Sequence, residues 1–391
     1  MTVILLILFA ICLLIPVWTY LVFPLFMKYS TKSLKRNRLD YSTVAEWPEV
    51  TIVFSVFNEE KVIKRKLDSI LYSDYPSEKL KILIGSDNST DNTNAIINSY
   101  VLEYPQIQLI AKYSRHGKLK IINELVNLTT TQHLIFTDAN VFFEPQTIKA
   151  LVYHLVSSDA RMVGGNIHKF SPKNKGISDQ EIFYMNFENE LKYHESLKYG
   201  FCVGVEGGCY AILKEHFVKV PDGFIMDDFF ITLDVISKNG KVWFEPEALC
   251  FEDVNDSPLI EFKRKVRISL GNFRNLSYYK TMLFPLYSDF AFAFLSHKVL
   301  RWFTPFALII SFFISLALAF YEPLFVFITI SYSGLLLFPV MAIWLERINL
   351  KIPVINSLGH FLLMNFGLFI GYIKFIVASQ DSAWEPPKRN V

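Results

Sequence analysis

Hydrophobic positions follow two regimes along the chain. Thr2 to Met27 holds no charged residue, and the later runs Phe303–Tyr321, Leu324–Leu345 and Ile355–Ala378 are nearly as apolar, long enough for helices that cross a bilayer core. Between Pro48 and about residue 255 such runs are absent. Short β-rich runs alternate there with segments whose apolar residues recur at helical spacing, the pattern of a mainly parallel sheet with helices on both faces. It predicts strands at Val50–Val56, Lys81–Ser86, Ile107–Ala111 and His133–Thr137. Helices are predicted over Glu59–Tyr72, Asp91–Glu103 and Lys118–Leu128, with Asn and Asp near their starts where caps belong. Farther on, Glu181–Tyr199 has the aromatics and charges of an amphipathic helix that lines a site or simply packs. A helical run from Asp227 to Asn239-Gly240 precedes a strand at Lys241–Phe244.

Composition agrees with the two regimes. The 391 residues are 52% hydrophobic with 36 Phe and 19 Tyr, which with the apolar runs marks a membrane protein carrying a soluble-type domain. A net charge of +2 and the lack of a basic run interleaved with aromatics exclude a nucleic-acid footprint. Cys12, Cys202, Cys209 and Cys250 fit neither a metal clip nor a disulfide framework and read as buried thiols in a reducing compartment. The first run lacks a basic n-region and a small-residue cleavage site, so it is expected to be retained as a helix. Lys28, Lys32, Lys35, Arg36 and Arg38 follow it at once. The positive-inside tendency therefore places residue 28 onward in the cytosol.

Each predicted strand of the central region ends in polar residues. Asn58 and Glu59 follow the first, Asp87 the second, the loop Ser114-Arg115-His116-Gly117-Lys118 the third, and Asp138 with Asn140 the fourth. In an open α/β sheet the ligand crevice lies at the carboxyl ends of the strands, so these side chains share the edge of a nucleotide-sized pocket. Neither a Gly-x-Gly-x-x-Gly nor a P-loop pattern occurs. Asp138 and Asn140 offer hard oxygen ligands suited to Mg2+ or Mn2+ completed by substrate phosphates. An ordinary turn uses the same residues. Asp227 and Asp228 open a helix, where aspartate also serves as a cap. Gly207 and Gly208, beside Glu206, let the backbone pass close to a bound ligand, and a plain turn accounts for them equally well.

On these residues the chain resembles the inverting family 2 of nucleotide-sugar glycosyltransferases, particularly its membrane-embedded bacterial members with a GT-A domain. Val53-Phe-Ser-Val-Phe-Asn-Glu-Glu60 is similar to the family's opening strand and Asn-Glu turn. Gly85-Ser-Asp-Asn-Ser-Thr-Asp-Asn-Thr93 is similar to its second strand end, Gly117-Lys118 with Asn123 to its Gly-Lys…Asn segment, and Thr137-Asp-Ala-Asn140 to its Asp-x-Asp metal motif. Asn140 departs from that motif and lowers the site's charge by one. The resemblance implies an α/β GT-A fold with a Rossmann-like mixed sheet, plus α-helical transmembrane segments. It implies donor nucleotide contacts at Asn58, Glu59, Asp87, Lys118 and Asp138, and a Mg2+ or Mn2+ ion at Asp138 and Asn140. It also implies acceptor contacts around Glu206, Gly207 and Gly208, and Asp228 as general base with Asp227 beside it. The basic stretch Lys263–Arg274 resembles the Gln-x-x-Arg-Trp helix of cellulose, hyaluronan and poly-N-acetylglucosamine synthases, with Arg267 reaching the diphosphate. Arg264 and Ile268 stand where that motif has Gln and Trp, which argues against long polymers.

The expected organisation is an N-terminal transmembrane helix (1–27), a basic cytosolic linker (28–47), a GT-A domain (48–280), an interfacial segment (281–302), transmembrane or interfacial helices (303–378) and a tail (379–391). The implied function is transfer of a sugar, from a UDP-sugar above all, to a lipid-linked or surface-glycan acceptor at the plasma membrane, with the catalytic domain cytosolic. An inactive glycan-binding subunit of a polysaccharide synthase complex is the alternative, with other synthase subunits as its partners. A transporter would need ionisable residues inside its spans, and the long runs hold almost none. The Ile355–Ala378 run carries Asn356, His360, Asn365 and Lys374 and fits either a full crossing or an interfacial helix. Four crossings put the C-terminus outside, whereas Trp384-Glu-Pro-Pro-Lys-Arg389 resembles a family ending on the catalytic side.

Overall fold

The structure, a computed structural model, describes residues 2–34, 39–170, 176–253, 258–347 and 352–377. Lys35, Arg36 and Arg38 of the basic flank, residues 348–351 of the charged loop, and the tail with Trp384 and Arg389 lie outside them. Two units are distinct: an α/β unit from residues 33–172 and 184–254, and a helical unit from residues 1–32, 173–183 and 255–379.

In the α/β unit eight strands form one sheet: β1 (Val50–Val56), β2 (Leu80–Ser86), β3 (Ile107–Ala111), β4 (His133–Thr137), β5 (Val141–Phe143), β6 (Ala160–Phe170), β7 (Cys209–Leu213) and β8 (Lys241–Asp253). Their order is β3-β2-β1-β4-β7-β6-β8-β5. β1 runs parallel to β2 and β4, and β2 to β3, so the first four strands form the parallel half that the alternating pattern predicts. The other half is mixed. β7 enters from the edge where β4 ends, with Cys209 opposite Thr137, and must therefore run back along β4. It is also antiparallel to β6, while β8 pairs parallel with β6 and antiparallel with β5. That double pairing extends β8 well beyond the four residues expected from sequence.

Helix starts differ from the sequence reading for local reasons. The first crossover helix runs Ile63–Leu71 rather than from Glu59, because Asn58 sits in the left-handed region at φ 54° and the chain turns before it coils. Ile63, Leu67 and Ile70 bury completely against the sheet, following the i, i+4, i+7 spacing of an apolar stripe. Gly85 lets the Lys118–Leu128 helix lie close on β2: a Cβ there would come within 2.2 Å of Ile121 Cγ2. Cys202, Cys209 and Cys250 are buried free thiols, and Cys12 is partly buried.

Among the described residues of the helical unit, four helices are long and apolar enough to cross a membrane: Thr2–Ser30, Asp289–Leu318, Pro323–Ala342 and Pro353–Val377. The second begins well before Phe303, so Trp302 lies inside it, buried against Phe273 and Phe294. Thr19 of the first donates its hydroxyl to the Ser296 carbonyl of the second at 2.9 Å. The Leu324–Leu345 run breaks at Leu336-Leu337 into helices Pro323–Leu335 and Phe338–Arg347, since Pro339 cannot donate the hydrogen bond that would continue the first. The Pro258–Tyr278 helix meets Pro353–Val377 where Gly371 leaves room for Ser269, whose hydroxyl donates to the Leu368 carbonyl at 2.7 Å.

Candidate active site

β4 ends at Thr137 and delivers Asp138 to the carboxyl edge of the parallel strands. Lys118, the first residue of its helix, donates from Nζ to Asp138 Oδ1 at 2.7 Å. The pair is partly open to solvent, with side chains 25% and 40% exposed. Burial works against the Lys118 cation, but the carboxylates of Asp138, Asp227 and Asp228 outweigh it and hold its pKa above the ordinary lysine value.

The second acidic element is the Asp227–Ser237 helix, whose first turn carries both aspartates. Asp228 is 7% exposed. Its Oδ2 accepts the Gly207 N–H at 2.7 Å and its Oδ1 the Phe229 N–H at 2.7 Å. Burial, then the charges of Asp227 and Glu206, lift its pKa to about 7, although the Phe229 N–H and Lys118 pull the other way. A carboxylate that titrates near neutrality and keeps a defined orientation is suited to take a proton.

Gly207 and Gly208 connect the two carboxylates. A Cβ on Gly207 would meet Asp228 Oδ2 at 2.9 Å; one on Gly208 would meet Val141 Cγ2 and Ile167 Cδ1, each at 2.9 Å, and lie 3.9 Å from Asp138 Oδ2. One turn thus lies against both site aspartates, a proximity that side chains would obstruct. Its Glu206 receives Lys192 Nζ at 2.5 Å, and the Lys192 side chain is only 1% exposed. Tyr210, one residue into β7, is buried and stacks on Phe136 with centroids 4.9 Å apart.

The remaining strand-end residues shape loops. Asp87, 2% exposed, accepts from Arg115 Nε at 3.1 Å, His116 N–H at 2.6 Å and Gly117 N–H at 3.0 Å. It thereby fixes the loop that leads into Lys118, while the Arg115 guanidinium covers the Phe57 ring at 3.4 Å. Asn58 Oδ1 accepts the Thr90 N–H at 2.8 Å, and the Glu59 N–H donates to Thr93 Oγ1 at 2.8 Å, so the β1 and β2 turns are laced together. Arg267 belongs to the Pro258–Tyr278 helix of the helical unit.

The donor set suits a hard divalent cation. Asp138 supplies a carboxylate, Asn140 an amide carbonyl, and Asn140 Nδ2 is anchored by donating to Glu252 Oε1 at 3.1 Å. Among the described residues no three His, Cys, Asp or Glu side chains form a ligand cluster. Mg2+ and Mn2+ use one or two carboxylates and complete their shell with substrate phosphates and water. Four residues at the site escape the sequence reading: Lys66, Lys192, Tyr210 and Glu252. Lys66 did leave a signal, since it interrupts the apolar face of its helix.

A Rossmann-like mixed sheet whose carboxyl edge carries one aspartate at a strand end and another at a facing helix start defines a GT-A-like fold. Residues 51–217 match the model of Glycosyl transferase family 2, and this part of the chain is a glycosyltransferase family 2 domain. The chain is 22% identical over 271 residues to the probable glycosyltransferase YdaM of Bacillus subtilis, covering 66% of this chain and 64% of that protein. It is 24% identical over 346 residues to a dolichyl N-acetyl-alpha-D-glucosaminyl phosphate 3-beta-D-2,3-diacetamido-2,3-dideoxy-beta-D-glucuronosyltransferase of Methanococcus voltae, covering 83% and 97%. Coverage of other relatives is smaller: the match to the beta-monoglucosyldiacylglycerol synthase of Synechocystis spans 25% of that protein. Among solved structures the chain is similar to the mannosyltransferase PcManGT from Pyrobaculum calidifontis, in complex with GDP-Man and Mn2+. The TM-score is 0.69 at 19% identity, over 95% of this chain and 99% of that one.

Proposed function

We propose that this protein is a membrane-bound, inverting, metal-dependent glycosyltransferase that passes a sugar from a nucleoside diphosphate sugar to a lipid-linked or surface-glycan acceptor at the cytosolic face. The observation that carries the reading is the opposition of Asp138, exposed and beside a lysine cation, to Asp228, buried with a pKa near 7, across one glycine turn. The nucleotide is assigned to the edge formed by Asn58, Glu59, Asp87 and Lys118, and Arg267 to the diphosphate. Asp138 and Asn140 would hold Mg2+ or Mn2+, which when bound neutralises charge on the leaving diphosphate. Asp228 takes the proton of the acceptor hydroxyl. The freed oxygen forms the bond to the anomeric carbon as the carbon–oxygen bond to the diphosphate breaks, and the electron pair leaves with the nucleoside diphosphate. A single displacement of this kind inverts the anomeric centre. The four apolar helices support a membrane-held acceptor.

The test is release of nucleoside diphosphate by the purified full chain in detergent with Mn2+, a lipid extract as acceptor and a donor panel. UDP-sugars are the expected donors, with GDP-mannose included because the Pyrobaculum neighbour holds it. Turnover with one donor, abolished by chelator, supports the reading; no turnover with any donor overturns it. Glycan binding by calorimetry without nucleotide or metal would favour the glycan-binding subunit that Asn140, in place of a second aspartate, leaves as the competing assignment.

A further inference from the structure

Lys66 is the one buried charged side chain of the Ile63–Leu71 helix, and the chemistry above does not use it. It is fully buried, on the same helical face as Ile63, Leu67 and Ile70. Its Nζ donates to Thr137 Oγ1 at 2.8 Å and to the Val141 carbonyl at 2.5 Å, and lies 3.8 Å from the centre of the Phe143 ring. The two acceptors flank Asp138-Ala139-Asn140 on either side. Thr137 in turn donates its hydroxyl to the Gly208 carbonyl at 2.8 Å, and Val141 N–H closes the intervening turn on the Asp138 carbonyl at 3.2 Å. Among the described residues none of the hydrogen bonds of this amine goes to a carboxylate. Burying an ammonium group among neutral acceptors is costly, and an apolar side chain of the same length would fill the slot without that cost. Fold stability alone therefore gives no reason for an amine here.

We propose that Lys66 is a positioning residue: through Thr137 and Val141 it sets the conformation of the Asp138–Asn140 turn and its spacing from the Gly207-Gly208 turn that orients Asp228. This rests on the reading of Asp138 and Asp228 given above. The amine and the Thr137 hydroxyl together join the strand end before Asp138, the strand start after Asn140, and the glycine turn that leads into β7.

The test compares Lys66→Met, Thr137→Val, the double variant and Asp138→Asn in full-length protein, by titrating UDP and GDP calorimetrically with and without MnCl2. A nucleotide that binds the wild type is the probe. Lys66→Met is expected to weaken Mn2+-dependent affinity about tenfold, as loss of an outer-sphere partner does, with metal-free affinity changed less than about twofold. Thr137→Val should act in the same direction, and the double variant should be no worse than the weaker single, because both act through one network. A merely structural lysine would instead lower the melting temperature and the number of binding sites while leaving Kd unchanged; that result, or strict additivity in the double variant, overturns the proposal. If Asp138→Asn also leaves Mn2+-dependent affinity untouched, the underlying reading of Asp138 fails. If Asp138→Asn weakens it and Lys66→Met does not, the positioning role alone fails.

Discussion

Asp138 and Asp228 stand at one edge of one sheet and against the same glycine turn, but their surroundings differ. Asp138 is 40% exposed and paired with Lys118, a setting that leaves its carboxylate within reach of ligands. Asp228 is buried, receives two backbone N–H groups, and has neighbouring negative charges at Asp227 and Glu206 that help to raise its pKa to about 7. Two chemically identical side chains are thus pushed apart by environment, which is how a site separates a ligand from a proton acceptor. The difference arises from placement: a strand end opens toward solvent, whereas a helix start tucked beneath the Gly207 backbone does not.

The sharpest way to break this comparison is to neutralise each side separately. Asp228→Asn should reduce kcat by about 10^3, within the range for loss of a general base, while nucleotide affinity measured by calorimetry stays within about twofold of wild type. Asp138→Ala should do the reverse, weakening Mn2+-dependent nucleotide binding about 10 to 100-fold and losing the response to added metal. A smaller effect follows from the titration of Asp228. Because the base must be ionised, kcat should fall about tenfold per pH unit below pH 7, read from a profile between pH 5 and 9. Glu206→Gln should move that acid limb to lower pH by about half a unit, since removing a negative neighbour eases ionisation of Asp228. The same variant removes the negative charge of the carboxylate to which the buried Lys192 amine donates, so its melting temperature should drop as well. The mildest change is Gly207→Ala: the added methyl crowds Asp228 Oδ2 and should cut kcat about tenfold with little effect on nucleotide affinity.

Much of this layout was legible in the sequence because short β-rich runs ending in polar residues mark strand ends. β1, β3 and β4 have the expected bounds, β2 differs by one residue, and Asp87, Asp138 and Asp228 all lie in the α/β unit. What the pattern could not supply was direction. Nothing in Cys209–Leu213 distinguishes a parallel from an antiparallel strand; only the register of Cys209 on Thr137 does. Nor did residue type reveal whom a side chain serves. Asp87 and Asn58, read as nucleotide contacts, also bond the Arg115–Gly117 loop and the Thr90 N–H in the structure. Charge inside an apolar stripe was the neglected clue. At Ile63, Lys66, Leu67 and Ile70 the lysine occupies a core position, and a charge there is retained only with partners that offset its burial.

The central claim is that proton removal and donor binding reside on different aspartates, and turnover of Asp228→Asn tests it most directly. At saturating donor and Mn2+, with calorimetry showing intact nucleotide binding, the variant should release nucleoside diphosphate about a thousandfold more slowly than wild type. Full turnover in that variant would contradict the assignment.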